Sequence, residues 1–348
     1  MAQKETAVVI LNWNGVHWLE KFLPSVIQHS SNDADIIVAD NQSSDNSVEF
    51  LRENYPDLQI IENPDNGGYS RGYNLALKEL DYTFFILLNS DIEVSENWIP
   101  PVIQYLKDNP LMGACQPKIK AFDHKDQFEY AGAAGGYIDR YGYPFCRGRI
   151  FDECEMDKGQ YDENTKVFWA SGACLFVRRE VFLQAGQLDE SLFSHMEEID
   201  LCWRMHHLGY EVGYCSESEV FHVGGGTLSS DNPRKTYYNF RNNLFMMYKN
   251  MPSSVLWYIL PIRLILDGLA GVKFALDGKW NHISAILKAH GAFYGSLGRL
   301  NRQRKEITKM VVGKRSYKIY QNSIALDYFL RKRKKFDQLP ECKFKGFQ

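Results

Sequence analysis

Apolar strand-like runs alternate with helix-like segments over residues 6–88, and this alternation constrains the fold more than any other feature of the chain. The runs are 6–11 (TAVVIL), 34–39 (ADIIVA), 58–61 (LQII) and 83–88 (TFFILL), and the segments between them have helical character. Continuous apolar runs are typical of strands that are buried on both faces. The alternation therefore predicts an α/β fold, with a mainly parallel sheet flanked by helices.

Small polar residues follow each predicted strand. In open α/β sheets, ligands bind at the carboxyl ends of the strands. The candidates there are Asn12 and Asn14 after the first run, Asp40 after the second, Asn66 and Gly67 after the third, and Asn89, Ser90 and Asp91 after the fourth. Each group alone is ordinary turn chemistry. Four groups at equivalent positions predict a binding site along one edge of the sheet.

Asp91 and His222 are candidate metal ligands. Asp91 ends the fourth strand, where a carboxylate can hold Mg²⁺ or Mn²⁺ against a diphosphate, since both cations share oxygen ligands with substrate phosphates. His222 follows a short apolar strand far downstream, and imidazole suits Mn²⁺ better than Mg²⁺. A lone histidine is more often structural, so the metal site depends on whether the fold brings the two residues together.

Three acidic residues, Glu197, Glu198 and Asp200, open a predicted helix. Acids in the first turn of a helix complement its dipole, and Asp200 is also spaced to pair with Arg204. The functional alternative is a general base that takes the proton of an attacking hydroxyl while a metal stabilises a leaving diphosphate. If the reaction transfers a sugar, a single base without a covalent step gives inversion at the anomeric carbon.

The C-terminal region has a different character. Residues 254–276 are strongly apolar, but Arg263, Asp267 and Lys273 interrupt them, so the sequence predicts a helix in the membrane interface rather than a span. A cluster of five basic residues follows at 331–335. An apolar helix with a basic patch favours peripheral attachment to an anionic membrane surface; the alternative is an ordinary helical layer with a solvated basic face.

Charge is divided unevenly between the two parts of the chain. The net charge is −3, but residues 279–348 hold 17 Lys and Arg against 4 Asp and Glu. A basic tail favours anionic partners, and we expect lipid rather than nucleic acid. The seven cysteines form no C-x-x-C pair, which favours a reducing compartment. We therefore expect a cytoplasmic protein, peripheral on the inner face of the cell membrane.

Several motifs together resemble inverting family 2 glycosyltransferases with a GT-A fold, in the rhamnosyltransferase-like branch. The motifs are VVILNWNG (8–15), IIVADNQSSDNS (36–47), NPDNGGYSRGYNLAL (63–77), FFILLNSDIE (84–93), WASGACLFVRRE (169–180), FSHMEEIDLCWRMHHLGY (193–210) and FHVGGGT (221–227). Each is weak alone, but the ordered set is specific. The resemblance implies a catalytic domain over residues 1–250 and a helical, membrane-peripheral region over residues 251–348.

The resemblance also implies roles for individual residues. The nucleotide-sugar pocket would be lined by Asn12, Asn14, Asp40, Asn66, Gly67, Arg71, Asn74, Asn89, Ser90 and Asp91. Asp91 and His222 would bind the metal, while Trp169 and Gly172 would lie on the acceptor side. Two positions depart from the family pattern: Asn89 replaces the first Asp of its D-x-D motif, and Glu198 replaces the Asp that usually serves as base. Glu198 is the favoured base, with Glu197 and Asp200 as alternatives.

The expected donor is dTDP-rhamnose or a UDP-sugar, and the expected acceptor is a saccharide or a lipid-linked saccharide in cell-surface polysaccharide synthesis. Two alternatives stay open. A catalytically inactive glycan- or membrane-binding protein would keep the fold and lose the metal or base carboxylates. A sugar nucleotidyltransferase would need basic residues after the first strand, where residues 12–16 (NWNGV) have none.

Overall fold

The computed structural model describes residues 4–224, 232–313 and 317–346. The strands are β1 (Thr6–Asn12), β2 (Asp35–Asp40), β3 (Gln59–Glu62), β4 (Phe84–Asn89), β5 (Ile92–Val94), β6 (Met112–Ala121), β7 (Gly136–Ile138), β8 (Pro144–Cys146), β9 (Arg149–Ile150), β10 (Glu153–Cys154), β11 (Thr165–Val167), β12 (Cys174–Arg178), β13 (Glu211–His222), β14 (Ile319–Tyr320) and β15 (Phe344–Lys345). The α-helices are α1 (Val16–Ser30), α2 (Ser47–Asn54), α3 (Gly68–Lys78), α4 (Pro100–Asp108), α5 (Arg179–Gln184), α6 (Glu197–His207), α7 (Pro233–Asn250), α8 (Ser253–Leu276), α9 (Trp280–Gly295), α10 (Leu297–Met310) and α11 (Ile324–Phe329).

The main sheet confirms the predicted α/β architecture. Its order is β11-β13-β6-β12-β4-β1-β2-β3, with β5 paired to β13, and the neighbours β3, β2, β1 and β4 are all parallel. In β1, Ala7 and Val9 pack into one hydrophobic core, and Val8 and Ile10 into the core on the opposite face. Burial on both faces explains why these strands are continuously apolar. The carboxyl ends of β1, β2 and β4 therefore meet at one edge.

The other half of the sheet is mixed. β12 is antiparallel to β4 and β6, while β13 runs parallel to β6. The short apolar strand before His222 is the end of one long strand, β13, which an irregularity between Cys215 and Glu219 interrupts. Within the motif 169–180, β12 begins only at Cys174, because the chain turns at Gly172. A side chain at Gly172 would meet the hydroxyl of Tyr69.

Helices α7 to α10 form a layer, in which α7 and α10 pack against α6. α7 packs on α9 and α10, so the helical layer begins before residue 250, and the boundary predicted there stays a prediction. The segment 317–346 packs on the small sheet β7–β10 through an aromatic and aliphatic cluster. Three of the five basic residues of 331–335 form ion pairs, Arg331 and Arg333 with Asp327 and Lys334 with Glu153.

Candidate active site

Asn12, Asp40 and Ser43 form a hydrogen-bonded group at the ends of β1 and β2. Asn12 Nδ2 donates to Asp40 Oδ1 at 2.9 Å, and Ser43 donates to the same carboxylate through its hydroxyl at 2.6 Å and its backbone N–H at 2.7 Å. Asn14 Oδ1 accepts the backbone N–H of Ser44 at 2.7 Å. Asn12 Oδ1 is buried with no hydrogen-bond partner in the described part of the chain. A buried, unpaired acceptor can receive a hydrogen bond from a bound ligand or from water.

The segment before α3 contributes Asn66, Gly67 and Arg71. Asn66 Oδ1 accepts the N–H of Gly68 at 3.1 Å, so this side chain shapes the start of the helix. Arg71 is already paired, with its Nε 3.0 Å from Asp65 Oδ1. Its guanidinium would have to leave that partner, or share it, to bind a donor.

Asn74 faces a different loop. Its amide donates to the carbonyl of Leu188 at 2.9 Å, and its Oδ1 accepts the Leu188 N–H at 3.1 Å. Both functions of the buried amide are used to hold this loop. In this conformation the Asn74 side chain therefore anchors the loop at Leu188.

Asp91 and His222 come together because β5 pairs with the end of β13. His222 is the register partner of Ile92, which directly follows Asp91. Asp91 Oδ1 lies 3.2 Å from His222 Nε2, and Asn89 Nδ2 is 3.5 Å from the same nitrogen. Both residues are buried. Two residues that are 131 positions apart thus form one polar pair.

Glu129 is the third member of this cluster. Its Oε2 lies 3.2 Å from His222 Nδ1, as an ion pair rather than an aligned hydrogen bond. Burial alone would lower the pKa of His222, but the carboxylates of Glu129 and Asp91 raise it to about 10. Burial would likewise raise the pKa of Asp91, yet the charge and hydrogen bond of His222 lower it. The cluster is therefore arranged to stabilise a positive charge.

The pair Asp91 and His222 fits a divalent cation of the Mn²⁺ type, which accepts both carboxylate and imidazole ligands. In the described ranges 4–224, 232–313 and 317–346, no group of three or more His, Cys, Asp and Glu side chains is arranged to hold a metal alone. Oxygens of a substrate diphosphate and water would have to complete the coordination. Glu129 approaches the opposite nitrogen of the imidazole, so it is not placed to ligate the same ion.

Glu197 and Glu198 begin α6, and both have a buried oxygen, Oε2, without a hydrogen-bond partner in the described residues. Burial and the neighbouring Glu198 carboxylate raise the pKa of Glu197 well above its usual range, and burial raises the pKa of Glu198 to about 7. Glu197 is buried and Glu198 is half-buried. Of the two, Glu198 combines access with a pKa suited to proton transfer near neutral pH.

Asp200 and Trp169 are both buried in the interior. Asp200 is fully buried, and its carboxylate contacts Arg204 and Lys249, each at 3.0 Å. Trp169 is buried in the main core and donates its indole N–H to the carbonyl of Tyr137 at 2.9 Å. Both side chains are therefore occupied by contacts within the interior.

The turn at 171–173 lies between the Asp91–His222 pair and the Glu197–Glu198 pair. The carbonyl of Ala173 accepts the backbone N–H of Asn89, two residues before Asp91, at 2.9 Å. The carbonyl of Gly172 accepts the hydroxyl of Tyr69 at 2.6 Å, and a side chain at Gly172 would approach Glu198. The Asp91–His222 pair and the Glu197–Glu198 pair therefore flank one short turn.

Sequence reasoning missed Glu129 and Tyr69. Glu129 returns antiparallel to β6, with its N–H on the carbonyl of Ile119, so only the pairing of that hairpin places it beside His222. Tyr69 lies within a quoted motif, but its position 103 residues from Gly172 hides the contact. Of the motif 221–227, residues 225–227 lie outside the described ranges.

Comparison with known proteins agrees with this geometry. Residues 7–185, just over half of the chain, match the family model "Glycosyl transferase family 2". The chain therefore belongs to glycosyltransferase family 2 and is a glycosyltransferase, with the GT-A fold and the rhamnosyltransferase-like character expected from its motifs.

Two relatives match most of the chain. The N-acetylglucosaminyl-diphospho-decaprenol L-rhamnosyltransferase of Mycobacterium tuberculosis is 23% identical over 76% of this chain and 90% of its own length. The low-salt glycan biosynthesis hexosyltransferase Agl10 of Haloferax volcanii is 22% identical over 86% of this chain and 94% of its own. Both identities are low.

Solved structures share the fold. GalNAc-T7 with UDP, GalNAc and Mn²⁺ superposes with a TM-score of 0.54 at 16% identity, covering 71% of this chain and 48% of the other. S. aureus TarS gives a TM-score of 0.53 at 12% identity, covering 88% and 52%. The chain spans about half the length of these two proteins.

Proposed function

We propose that this glycosyltransferase moves a sugar, with rhamnose favoured, from a nucleotide-diphosphate donor to a saccharide or lipid-linked saccharide, with inversion at the anomeric carbon. The observation that carries the proposal is the turn at 171–173, which has the Asp91–His222 pair on one side and the Glu197–Glu198 pair on the other. Donor activation and acceptor deprotonation need two such groups close together.

Glu198 is the proposed general base. An unpaired buried oxygen and a pKa of about 7 allow this carboxylate to accept the proton of an acceptor hydroxyl as that oxygen attacks the anomeric carbon. No second nucleophile is required, so the configuration inverts. Glu197, which is more deeply buried, stays largely protonated beside it and keeps the pair from carrying two negative charges.

Asp91 and His222 are the proposed metal ligands, and a divalent cation there would neutralise charge on the leaving diphosphate. Asn12, Asn14 and Asp40 are proposed to bind the nucleotide. The unpaired Asn12 Oδ1 supports this assignment because it offers an acceptor to a base or ribose N–H or O–H.

The donor and acceptor are proposed from the relatives. One of them carries an L-rhamnosyltransferase name with a diphospho-decaprenol acceptor, which favours dTDP-rhamnose and a lipid-linked acceptor here. UDP-sugars remain part of the proposal, since GalNAc-T7 was solved with UDP. A role in cell-surface polysaccharide synthesis follows from the same relatives.

The proposal is tested by nucleotide release from a panel of dTDP- and UDP-sugars, with Mn²⁺, Mg²⁺ or EDTA. Metal-dependent release from one donor, lost in Asp91→Ala, is the expected result. Donor binding by calorimetry separates a missing acceptor from a missing activity. If no donor is bound or cleaved under any condition, the chain is an inactive member of the fold.

We also propose that α8 attaches the protein to the inner face of the cell membrane. Within the described residues, α8 is the one helix long and apolar enough to span a membrane by length and composition. Its polarity is inverted: Arg263 and Asp267 are buried and paired at 2.7 Å, while the outer face is apolar. The exposed side chains of that face are Trp257, Ile265, Leu269, Val272 and Leu276.

The inverted polarity favours an interfacial position. Two of the three charges that interrupt the apolar sequence, Arg263 and Asp267, point inward, where Arg263 also stacks on Tyr143 at 3.9 Å. The third, Lys273, is exposed and pairs with Asp277. The stripe continues into Trp280 and Leu287 of the next helix, and the exposed Lys279 and Lys288 lie beside it. Apolar side chains flanked by lysines match the boundary between lipid tails and anionic headgroups.

Sedimentation with phosphatidylglycerol vesicles tests this surface. Ile265→Glu and Leu269→Glu should release the protein from the vesicles, because each places a charge in the apolar layer. Leu111→Glu is the matched control, since Leu111 is equally exposed (62% against 61% for Leu269) but lies before β6. Equal release by all three variants, or none, would count against α8 as the membrane-binding element.

A further inference from the structure

Three of the four residues before α6 adopt a strained backbone. Phe193, His195 and Met196 have φ values of 64°, 71° and 75°, which L-residues with side chains rarely adopt. Each such residue costs free energy and persists only where its surroundings fix it. Glu197 and Glu198 follow directly, so the path of this segment determines where their carboxylates point.

Asn242 on α7 is the residue that fixes the segment. Its side chain is fully buried, and Nδ2 lies within donating distance of three carbonyls: Leu192 at 2.8 Å, Ser194 at 2.8 Å and His195 at 2.7 Å. Asn242 Oδ1 accepts Arg241 Nε at 2.8 Å. One amide thus gathers carbonyls that lie just before and within the strained segment.

The opposite side of the segment is held by the start of α3. The backbone N–H of Tyr69 donates to the carbonyl of Phe193 at 2.8 Å. Gly68 allows this approach, because a side chain there would clash with the same carbonyl. The segment is therefore clamped between α3, which bears Tyr69, and α7, which bears Asn242.

We propose that Asn242 is a positioning residue for the general base. Its amide holds the carbonyls of residues 192, 194 and 195. As a result Glu198, in the first turn of α6, lies against the turn at Gly172. This inference rests on the proposed function, in which Glu198 deprotonates the acceptor. A carboxamide is suited to the task because its nitrogen carries two N–H groups that can donate to carbonyls. Its oxygen carries no hydrogen and can accept the N–H of Arg241.

Asn243 provides a matched control. It is the next residue on α7 and is also buried, but its Nδ2 donates to the carbonyl of Gly142, between β7 and β8, at 2.6 Å. Loss of either amide leaves buried carbonyls unpaired and should lower stability similarly. Only Asn242 variants should affect the position of Glu198.

The first experiment is hydrogen–deuterium exchange of peptides covering residues 190–200 in Asn242→Ser and Asn243→Ser. Faster exchange there in Asn242→Ser, but not in Asn243→Ser, is expected. Serine is small and keeps one donor, so it should fold where Asn242→Leu does not. Unchanged exchange in Asn242→Ser would show that the amide does not fix the segment.

The second experiment separates kcat from KM with the donor that the panel selects. Asn242→Ser should lower kcat by about tenfold to a hundredfold, since small displacements of a catalytic group have effects of this size, while KM for the donor and the affinity for UDP with Mn²⁺ stay within twofold. Asn243→Ser should keep kcat. An unchanged kcat in Asn242→Ser overturns the inference. An unchanged kcat in Glu198→Gln instead overturns the proposed base.

Discussion

Asp91 Oδ1 and His222 Nε2 face each other at 3.2 Å, across the point where β5 pairs with the end of β13. We predict that Asp91→Asn and His222→Asn each weaken Mn²⁺ binding at least about tenfold. Removing a residue that only hydrogen-bonds to a metal ligand already weakens binding by that much. Paramagnetic resonance with Mn²⁺ and UDP measures the affinity. Glu93→Gln, on β5 but paired with Lys125, is the control and should bind normally. Undiminished binding in both ligand variants would place the metal elsewhere.

Glu129 is predicted to orient His222 without binding the metal. Glu129→Ala should weaken Mn²⁺ binding by roughly 10- to 100-fold, the usual effect of removing a group that fixes a metal-bound histidine. Glu129→Gln retains an oxygen near Nδ1 and should fall between Glu129→Ala and the parent protein. The same resonance titration measures both variants, and an affinity of Glu129→Ala equal to that of the parent contradicts the role.

The pH dependence of transfer should follow the pKa of Glu198. Burial raises that pKa to about 7, and a base acts only when deprotonated, so the rate should rise with pH through about 7 and level off above it. Glu198→Gln removes the carboxylate and should remove this limb together with most of the activity. Initial rates between pH 5.5 and 9 test this. A rate that falls over the same range would require an acid in place of a base.

Gly68 is predicted to be irreplaceable by alanine. Its φ is 79° and a side chain would clash with the carbonyl of Phe193, so Gly68→Ala combines backbone strain with a steric conflict and should cost more than about 1 kcal/mol of unfolding free energy. Gly209→Ala is the control, since φ is 87° but nothing lies within 4 Å of an added side chain. Urea unfolding compares the two. Equal urea midpoints of unfolding in the two variants would mean that movement of Phe193 relieves the clash.

The sequence was sufficient for the parallel half of the sheet. The pairing of Asp91 with His222 was an expectation from the family resemblance, and their role as metal ligands stays a prediction. Buried parallel strands have a distinctive continuous apolar pattern, and each strand end is marked by its polar residues. Glu129, Asn242 and the inward position of Trp169 could not be predicted, because they depend on long-range pairing. Glu129 reaches His222 only through the return of the chain along β6, and Asn242 acts on backbone carbonyls, which leave no trace in residue type.

Asp200 illustrates the same limit: its spacing predicted the pair with Arg204, but nothing in the sequence indicated its contact with Lys249. In the fold, Lys249 lies between Asp189 and Asp200, and all three side chains are almost fully buried. Removing one member of a buried ion pair leaves uncompensated charge and typically costs about 3–5 kcal/mol. Lys249→Met should therefore destabilise the protein by an amount of this order, measured by urea unfolding at neutral pH.

An exposed ion pair gives the comparison for Lys249. Lys309 pairs with Glu306 on the surface of α10, and such pairs contribute about 0–1 kcal/mol, so Lys309→Met should leave the unfolding midpoint nearly unchanged. If Lys249→Met proved equally mild, water would have to reach the two aspartates. Asp200 would then be accessible, and it would return as an alternative to Glu198 for the base.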